Sequence, residues 1–370
     1  LITSLFLAAA AAYFLELLWL LRGLVRADRA RRAPAFEPTV SVVVAARNEE
    51  DRIAECLATL VTLDYPASKL EILVVDDRST DRTGEIIDGF ARQHPSIRKI
   101  VSGTPKGNLR GKANALFHGI AVSTGEILMF TDADCRVKPS WVRSTVGFFD
   151  ESTGVVGGFT LLDARGPFQG MQQLDWMFLF GIASSAAGWG LPLTAIGNNL
   201  SVRRAAYLAA GGYEGIPFSV TEDYALVQAI LRSTPYGVQF PMNPSGVVSS
   251  KACANAAQLF RQKQRWGVGG LDMVLRGLII MAVGWVYRAF FLAGCLVVDP
   301  LIFISTALVI LALEMLYLAM PLKEFGSLSS LRHFPAFQAY YLPYVLLMPL
   351  IAMLSKNVVW KERTLTKAEA

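Results

Sequence analysis

Apolar residues fill positions 1–25, and charge breaks the run only at Glu16 and Arg22. That length matches the roughly 20 residues a helix needs to cross a bilayer. Positive charge follows the run instead of preceding it, and no small-residue cleavage site stands out, so a retained anchor is expected rather than a signal peptide. Arg22, Arg26, Arg29, Arg31 and Arg32 crowd its end with only Asp28 against them, and basic residues beside a span mark its cytoplasmic end. From Thr39 the pattern changes. Val40 to Ala45 is short, β-branched and apolar, as a strand buried on both faces should be. Asn48 is placed to cap a helix whose apolar positions Ile53, Leu57, Leu60 and Val61 recur at helical spacing. A strand over 70–75 then ends in Asp76-Asp77. A helix over 83–93, a strand over 97–101, a helix over 112–122 and a strand over 126–130 follow, the last running into Thr131-Asp132-Ala133-Asp134. Strand and helix in alternation predict an α/β domain with a mostly parallel sheet and right-handed crossovers. Ligands of such sheets bind beyond the carboxyl ends of the strands, where both acidic clusters fall.

Residues 150–276 are less regular but amphipathic. Past Arg276 the segments 277–298, 301–320 and 336–354 are each long enough to span a membrane, with Arg288 inside the first. Three spans would put the C-terminus outside, against the positive charge of Lys356, Lys361, Arg363 and Lys367. Two would keep it inside, with 277–288 lying on the surface, and the positive-inside rule favours two. The expected division is an anchor (1–25), a basic linker (26–38), an α/β domain ending in an interfacial helix (39–276), a transmembrane region (277–355) and a basic cytoplasmic tail (356–370).

Composition agrees with a membrane setting. Of the 370 residues, 53% are apolar and 18% charged, against about 45–50% and 25% in soluble domains. Disorder is excluded by the same figures. The net charge of +5 points to an anionic membrane surface and not to nucleic acid, because the basic residues gather beside the first span. Cys56, Cys135, Cys253 and Cys295 are scattered, as are His94, His118 and His333. A thiolate–imidazole zinc site is therefore not expected, and dispersed cysteines fit a reducing compartment.

Two carboxylates one residue apart, Asp132 and Asp134, can share a hard divalent cation such as Mg²⁺ or Mn²⁺ with substrate phosphates; the plain alternative is an acidic turn. Asp76-Asp77-Arg78-Ser79-Thr80-Asp81 offers a carboxylate for the imide N–H of a uracil, or simply opens a helix as a cap. Thr221-Glu222-Asp223 either caps the helix over 224–231 or supplies a base. Gln262, Arg265 and Trp266 share one face of a helix, where Trp266 is either an interfacial anchor or part of a site. Trp176–Trp189 has a dense apolar face, read as core in preference to a lipid cradle.

Taken together, Val42–Glu50, Asp76–Asp81, Asp132–Asp134, Thr221-Glu222-Asp223 and Gln262-Lys263-Gln264-Arg265-Trp266 resemble, in order and spacing, the motifs of family 2 glycosyltransferases of the GT-A fold. The resemblance covers about 39–276. It implies a Rossmann-like, mostly parallel sheet flanked by helices, with one N-terminal and two or three C-terminal transmembrane helices around it. It implies an inverting, metal-dependent hexosyltransferase that uses a nucleotide sugar, usually a UDP-sugar. The Gln-x-x-Arg-Trp signature is shared by ceramide, carotenoid and other lipid glycosyltransferases and by polysaccharide synthases. Carried over, Glu49, Asp77, Lys112 and Asp132 would face the donor, Asp134 with Asp132 would hold Mg²⁺ or Mn²⁺, and Asp223 would be the general base. Gln262, Arg265 and Trp266 would close over pyrophosphate and acceptor. Asn198 and Asn199, in Ile196-Gly197-Asn198-Asn199-Leu200, resemble the acceptor-side segment.

The expected activity is transfer of a hexose from a UDP-sugar to a hydroxyl of a membrane lipid. The expected setting is a multi-pass membrane protein with its catalytic domain on the cytoplasmic face. A processive polysaccharide synthase is the alternative, and a non-catalytic nucleotide-binding scaffold a remote one. The sugar, the acceptor and the oligomeric state are not legible in the residues.

Overall fold

The structure, a computed structural model, describes residues 1–29, 36–105, 107–355, 357–360 and 363–366. Residues 30–35 of the basic linker, with Arg31 and Arg32, lie outside the described residues, as do Lys356, Lys361 and Lys367 of the basic tail. In chain order the elements that matter here are α1 (Ile2–Asp28), β1 (Val40–Ala46), α2 (Ile53–Leu60), β2 (Leu70–Asp76), α3 (Thr83–Gln93), β3 (Ile97–Val101) and α4 (Gly111–Ala121). They continue with β4 (Ile127–Asp132), β5 (Thr153–Gly157), α5 (Pro167–Gly188), β6 (Leu200–Arg203), α6 (Glu222–Ser233) and β7 (Gly237–Gln239). The chain then turns wholly helical through α7 (Ala256–Gly270), α8 (Leu275–Val297), α9 (Pro300–Glu324) and α10 (Phe334–Leu354). These elements form two compact units. One comprises Leu1–Arg26, Leu162–Leu193 and Ala252–Val358; the other comprises Ala27–Leu161, Thr194–Lys251 and Val359–Ala370.

The second unit is built on a seven-stranded sheet in the order β3-β2-β1-β4-β6-β5-β7. Strands β3, β2, β1 and β4 run parallel, and β6 runs antiparallel to both β4 and β5. Val42, Val43 and Val44 of β1 are fully buried, as a central strand covered on both faces requires. Each such side chain contributes roughly 1.5–3 kcal/mol relative to exposure. Helix α4 lies close on the sheet because Gly119 has no side chain: a Cβ there would stand 2.6 Å from Val43 and 2.8 Å from Val75. The register sets Ala46 opposite Asp76 and Ala45 opposite Asp132. Both acidic clusters therefore flank the carboxyl end of β1. Asn48 does not cap α2, whose N-cap is Arg52; it takes a left-handed conformation in the loop after β1 instead.

The first unit gathers α1, α5 and α7 to α10. Trp176, Phe178 and Phe180 of α5 are buried, and Phe178 meets Tyr317, Phe337 and Tyr341, so this apolar face is core. Helices α1 and α5 touch backbone to backbone at Gly23, where a Cβ would fall 2.5 Å from the Ser185 carbonyl oxygen. Ser185 Oγ donates to the Leu20 carbonyl at 2.8 Å.

The sequence leaves two or three C-terminal spans open, with 277–288 on the surface in the first case. The structure has three apolar helices after the α/β segment, and α8 runs unbroken through Arg288. The reason is that the Arg288 charge is met inside the bundle. Its guanidinium donates to Glu314 at 2.8 Å, to the Tyr13 hydroxyl at 3.1 Å and to the Gly284 carbonyl at 3.1 Å. Tyr13 donates to Glu314 at 2.6 Å and Gln338 to its other oxygen at 2.5 Å. One polar cluster thus joins α1, α8, α9 and α10. Four helices, including Leu328–Leu354 as one segment, are long and apolar enough to cross a membrane. Ile279, Leu296, Leu301, Leu308 and Leu354 point outward, exposed, as lipid-facing residues would.

Candidate active site

The loops after β1 and β2 are held to each other. Arg47 donates to the carbonyls of Asp77 at 2.7 Å and Arg78 at 3.1 Å. The Asn48 N–H donates to Ser79 Oγ, Asn48 Oδ1 accepts the Thr80 N–H at 3.0 Å, and the Glu49 N–H donates to Thr83 Oγ1 at 2.8 Å. Asn48 and Arg78 both have positive φ, 49° and 56°, a conformation that costs non-glycine residues about 1–3 kcal/mol and concentrates at functional sites. Asp77 is buried between them, its N–H donating to the Ala46 carbonyl at 2.8 Å and its Oδ1 accepting from Ser102 Oγ at 2.6 Å. A donor base entering here would meet a carboxylate whose position is already fixed.

Lys112, in the first turn of α4, brings two distant acidic motifs together. Its ammonium lies 2.5 Å from Asp132 Oδ1 and 3.2 Å from Glu222 Oε1. Burial alone would pull this lysine's pKa down, but the two carboxylates outweigh it and hold the ammonium charged. Asp134 pairs with Arg52 at 3.1 Å. Beneath these carboxylates the buried Cys56 thiol donates to the Asp132 carbonyl and the buried Cys135 thiol to Asp134 Oδ1. Burial raises the Cys56 thiol far above its usual range, so it stays neutral. Cys56 and Cys135 are thus core residues, while Cys295 is exposed.

Asp223 opens α6. Its Oδ2 accepts the Gly197 N–H at 2.6 Å and its Oδ1 the Tyr224 N–H at 2.8 Å. It is therefore both a local cap and the anchor of the 196–199 segment. Burial, followed by the Glu222 carboxylate, pushes its pKa up to about 6 against the opposing pull of Lys112. A carboxylate tuned in this direction suits proton abstraction near neutral pH.

Asn198 and Asn199 are buried. Asn198 Oδ1 accepts from Thr160 Oγ1 at 3.1 Å. Asn199 accepts from Trp141 Nε1 at 3.0 Å and donates to the Phe159 and Gly246 carbonyls at 2.8 and 3.0 Å. Asn199 thus spends its amide bracing the loop and turns no polar atom outward.

Gln262, Arg265 and Trp266 lie on α7, which belongs to the helical unit. Asn255 caps this helix by accepting the Gln258 N–H at 3.0 Å. Gln262 Oε1 is buried without a hydrogen-bond partner among the described residues, and such an orphan acceptor costs about 1–3 kcal/mol. Trp266 packs against Trp176, ring centroids 5.4 Å apart.

The family resemblance implies a divalent metal, and the donor set at β4 fits one. Asp132 and Asp134 offer hard carboxylate oxygens with 36% and 26% of their side-chain surface exposed. Each is neutralised by a cationic side chain that a metal could displace or share. No group of three metal-ligating side chains is assembled among the described residues. The remaining ligands would come from phosphate oxygens and water, the usual arrangement for Mg²⁺.

Arg47, Arg52 and Glu222 are the site residues that sequence reasoning did not assign a part. Arg52 and Asp134 are 82 positions apart in the chain, and no local pattern announces that pairing.

Comparison with known proteins fits this geometry. The model of glycosyl transferase family 2 matches residues 41–209, and that of glycosyl transferase family group 2 matches 127–355. A probable glycosyltransferase, YdaM, of Bacillus subtilis is 31% identical over 250 residues, 65% of this chain and 57% of that protein. A beta-monoglucosyldiacylglycerol synthase of Synechocystis is 29% identical over 260 residues, 67% of this chain and 52% of that protein. A poly-beta-1,6-N-acetyl-D-glucosamine synthase of Staphylococcus epidermidis is 26% identical over 240 residues, 64% of this chain and 56% of that protein. The chain spans a little over half the length of these relatives. Among solved structures, the mannosyltransferase PcManGT from Pyrobaculum calidifontis, in complex with GDP-Man and Mn²⁺, shares the fold. The TM-score is 0.59 at 20% identity, over 96% of this chain and 98% of that one.

Proposed function

This chain belongs to glycosyltransferase family 2, and from that premise we propose that it moves a hexose from a UDP-sugar, with inversion, to a hydroxyl of a membrane lipid. The observation that carries this reading is the edge formed by Asp77, Lys112, Asp132, Asp134 and Asp223 beyond the parallel strands, in a chain with four membrane-length apolar helices. Asp77 and Glu49 receive the nucleoside. Asp132 and Asp134 would hold Mg²⁺ or Mn²⁺, which supplies charge neutralisation for the departing diphosphate. Lys112 keeps Asp132 and Glu222 in place. Asp223 takes the proton from the acceptor hydroxyl as that oxygen attacks the anomeric carbon, and a single displacement inverts the centre. Gln262, Arg265 and Trp266 close on the diphosphate and acceptor. Asn198 and Asn199 act one step back from the acceptor, as braces of the segment that Asp223 anchors.

The catalytic segment, 39–276, stands on the cytoplasmic face in this reading, because Arg22, Arg26 and Arg29 gather at the C-terminal end of α1. The Synechocystis relative, named as a glycolipid synthase, favours a lipid acceptor. The Staphylococcus relative, named as a polymer synthase, supports processive elongation as the second reading. Protein purified in detergent, given native lipid extract, labelled nucleotide sugars and Mg²⁺ or Mn²⁺, separates the two. Metal-dependent label in a small organic-soluble product supports the lipid transferase. A ladder of polymer overturns it in favour of the synthase.

A further inference from the structure

Within Gln262-Lys263-Gln264-Arg265-Trp266, Lys263 alone is fully buried, and the other four residues are partly exposed. Its ammonium forms an ion pair with Asp175 of α5, the two side chains retaining 3% and 4% of their exposure. The same ammonium stands 4.3 Å over the Trp266 ring and 5.1 Å over the Tyr344 ring of α10. Next to Asp175, Trp176 meets Trp266. Consecutive residues of α5 therefore grip residues one turn apart on α7. One contact would leave a helix free to swivel; two, a turn apart, fix both its rotation and its height.

Cohesion does not explain why the inner contact is ionic. Desolvating two charges costs about as much as their attraction returns, and apolar side chains of similar volume commonly hold helices as well or better. Apolar packing is non-directional, whereas a buried ammonium facing one carboxylate penalises every rotation that parts them. Residues follow each other at 100° around a helix, so fixing Lys263 inward fixes where Gln262 and Arg265 point on the face they share.

We propose that Asp175 and Lys263 are positioning residues for glycosyl transfer: their buried pair sets the rotation of α7 that presents Gln262, Arg265 and Trp266 to the substrates. This rests on the reading of those three as substrate-facing. The test compares Asp175→Leu/Lys263→Met with each single substitution and with Arg265→Ala, reading melting temperature, kcat and the KM for nucleotide sugar in detergent. The single substitutions strand a buried charge or carboxyl and lower the melting temperature. The double variant recovers wild-type stability yet keeps a kcat reduced about 10- to 100-fold, the scale of a small misplacement of reacting groups. Recovery of both stability and kcat in the double variant overturns the proposal and leaves the pair as packing. Should that variant not fold, Lys263→Arg decides, since it keeps the charge but not the length: stable protein with reduced kcat supports the proposal, and unchanged kcat sinks it. Wild-type kcat in Arg265→Ala would instead remove the underlying reading of the motif.

Discussion

Asp223 Oδ2 accepts the Gly197 backbone N–H at 2.6 Å, and the position a Cβ would take on Gly197 is 3.2 Å from that same oxygen and 3.4 Å from the Lys112 ammonium. A glycine thus admits a carboxylate and an ammonium to one point on the backbone. Gly197→Ala presses on both without removing either, so the expected result is a folded protein with reduced kcat and little change in nucleotide binding. Nucleotide affinity falling in step with kcat would contradict it.

Replacing Asp223 by Asn removes the base and keeps a side chain of the same shape. Turnover should fall about 10²- to 10⁴-fold, the usual contribution of general-base catalysis. UDP binding, followed by calorimetry, should be largely kept. Unchanged turnover would refute the assigned role.

The raised Asp223 pKa gives a pH dependence with a definite sign. Its value of about 6 in the fold lies above the ordinary aspartate value of 3.8, so between those pH values the folded protein holds a proton that the unfolded chain releases. Stability from this group is full at lower pH and is lost as pH rises through about 6, while base catalysis appears over the same rise. The acidic limb of kcat/KM should titrate near pH 6. Because the Glu222 carboxylate helps raise the value, Glu222→Gln should move that limb to lower pH.

Chelation with EDTA should abolish turnover, with Mn²⁺ or Mg²⁺ restoring it. Asp134→Asn should raise the metal concentration needed for half-maximal rate, read by metal titration at saturating nucleotide sugar. An identical titration curve for the variant would exclude Asp134 as a ligand.

Asn199→Ala would orphan Trp141 Nε1 and two carbonyls at once. With about 1–3 kcal/mol per unsatisfied buried group, a loss of about 3 kcal/mol or more is expected in a denaturation experiment. A loss of kcat at full stability would instead mark Asn199 as an acceptor contact.

Breaking the Arg288–Glu314 pair by Arg288→Met alone should destabilise the protein by about 3–5 kcal/mol, since it leaves a buried carboxylate uncompensated. Adding Glu314→Leu should recover most of that loss. A double variant as unstable as the single one would show that Tyr13 and Gln338 need Glu314 more than Arg288 does.

The parallel half of the sheet was legible because β1, β2 and β4 are short, mostly apolar runs, and β2 and β4 end in acidic residues. Asp132 and Asp77 could be placed at strand ends from that pattern alone. Whether α8 runs on through Arg288 could not be decided, since a lone arginine in an apolar run looks like an interruption until Glu314 and Tyr13 are brought to it from two other helices. The same limit hid Arg52 and Glu222. Their partners are distant in the chain, and no local periodicity records a long-range ion pair. Asn48 misled for a different reason, as its short polar side chain serves a helix cap and a left-handed loop equally well.

The helical unit is drawn from three separated stretches of chain, 1–26, 162–193 and 252–358. Tyr13 emerges from the ribosome 301 residues ahead of Glu314, about 15–60 seconds at ordinary rates of synthesis. During that interval α1 waits without α9, while the seven strands of the main sheet, all within residues 40–239, are made. Closure of the helical unit is therefore a late step of biogenesis, and a nascent chain stopped before α9 would hold the seven-stranded sheet and its motifs with the helical unit still open.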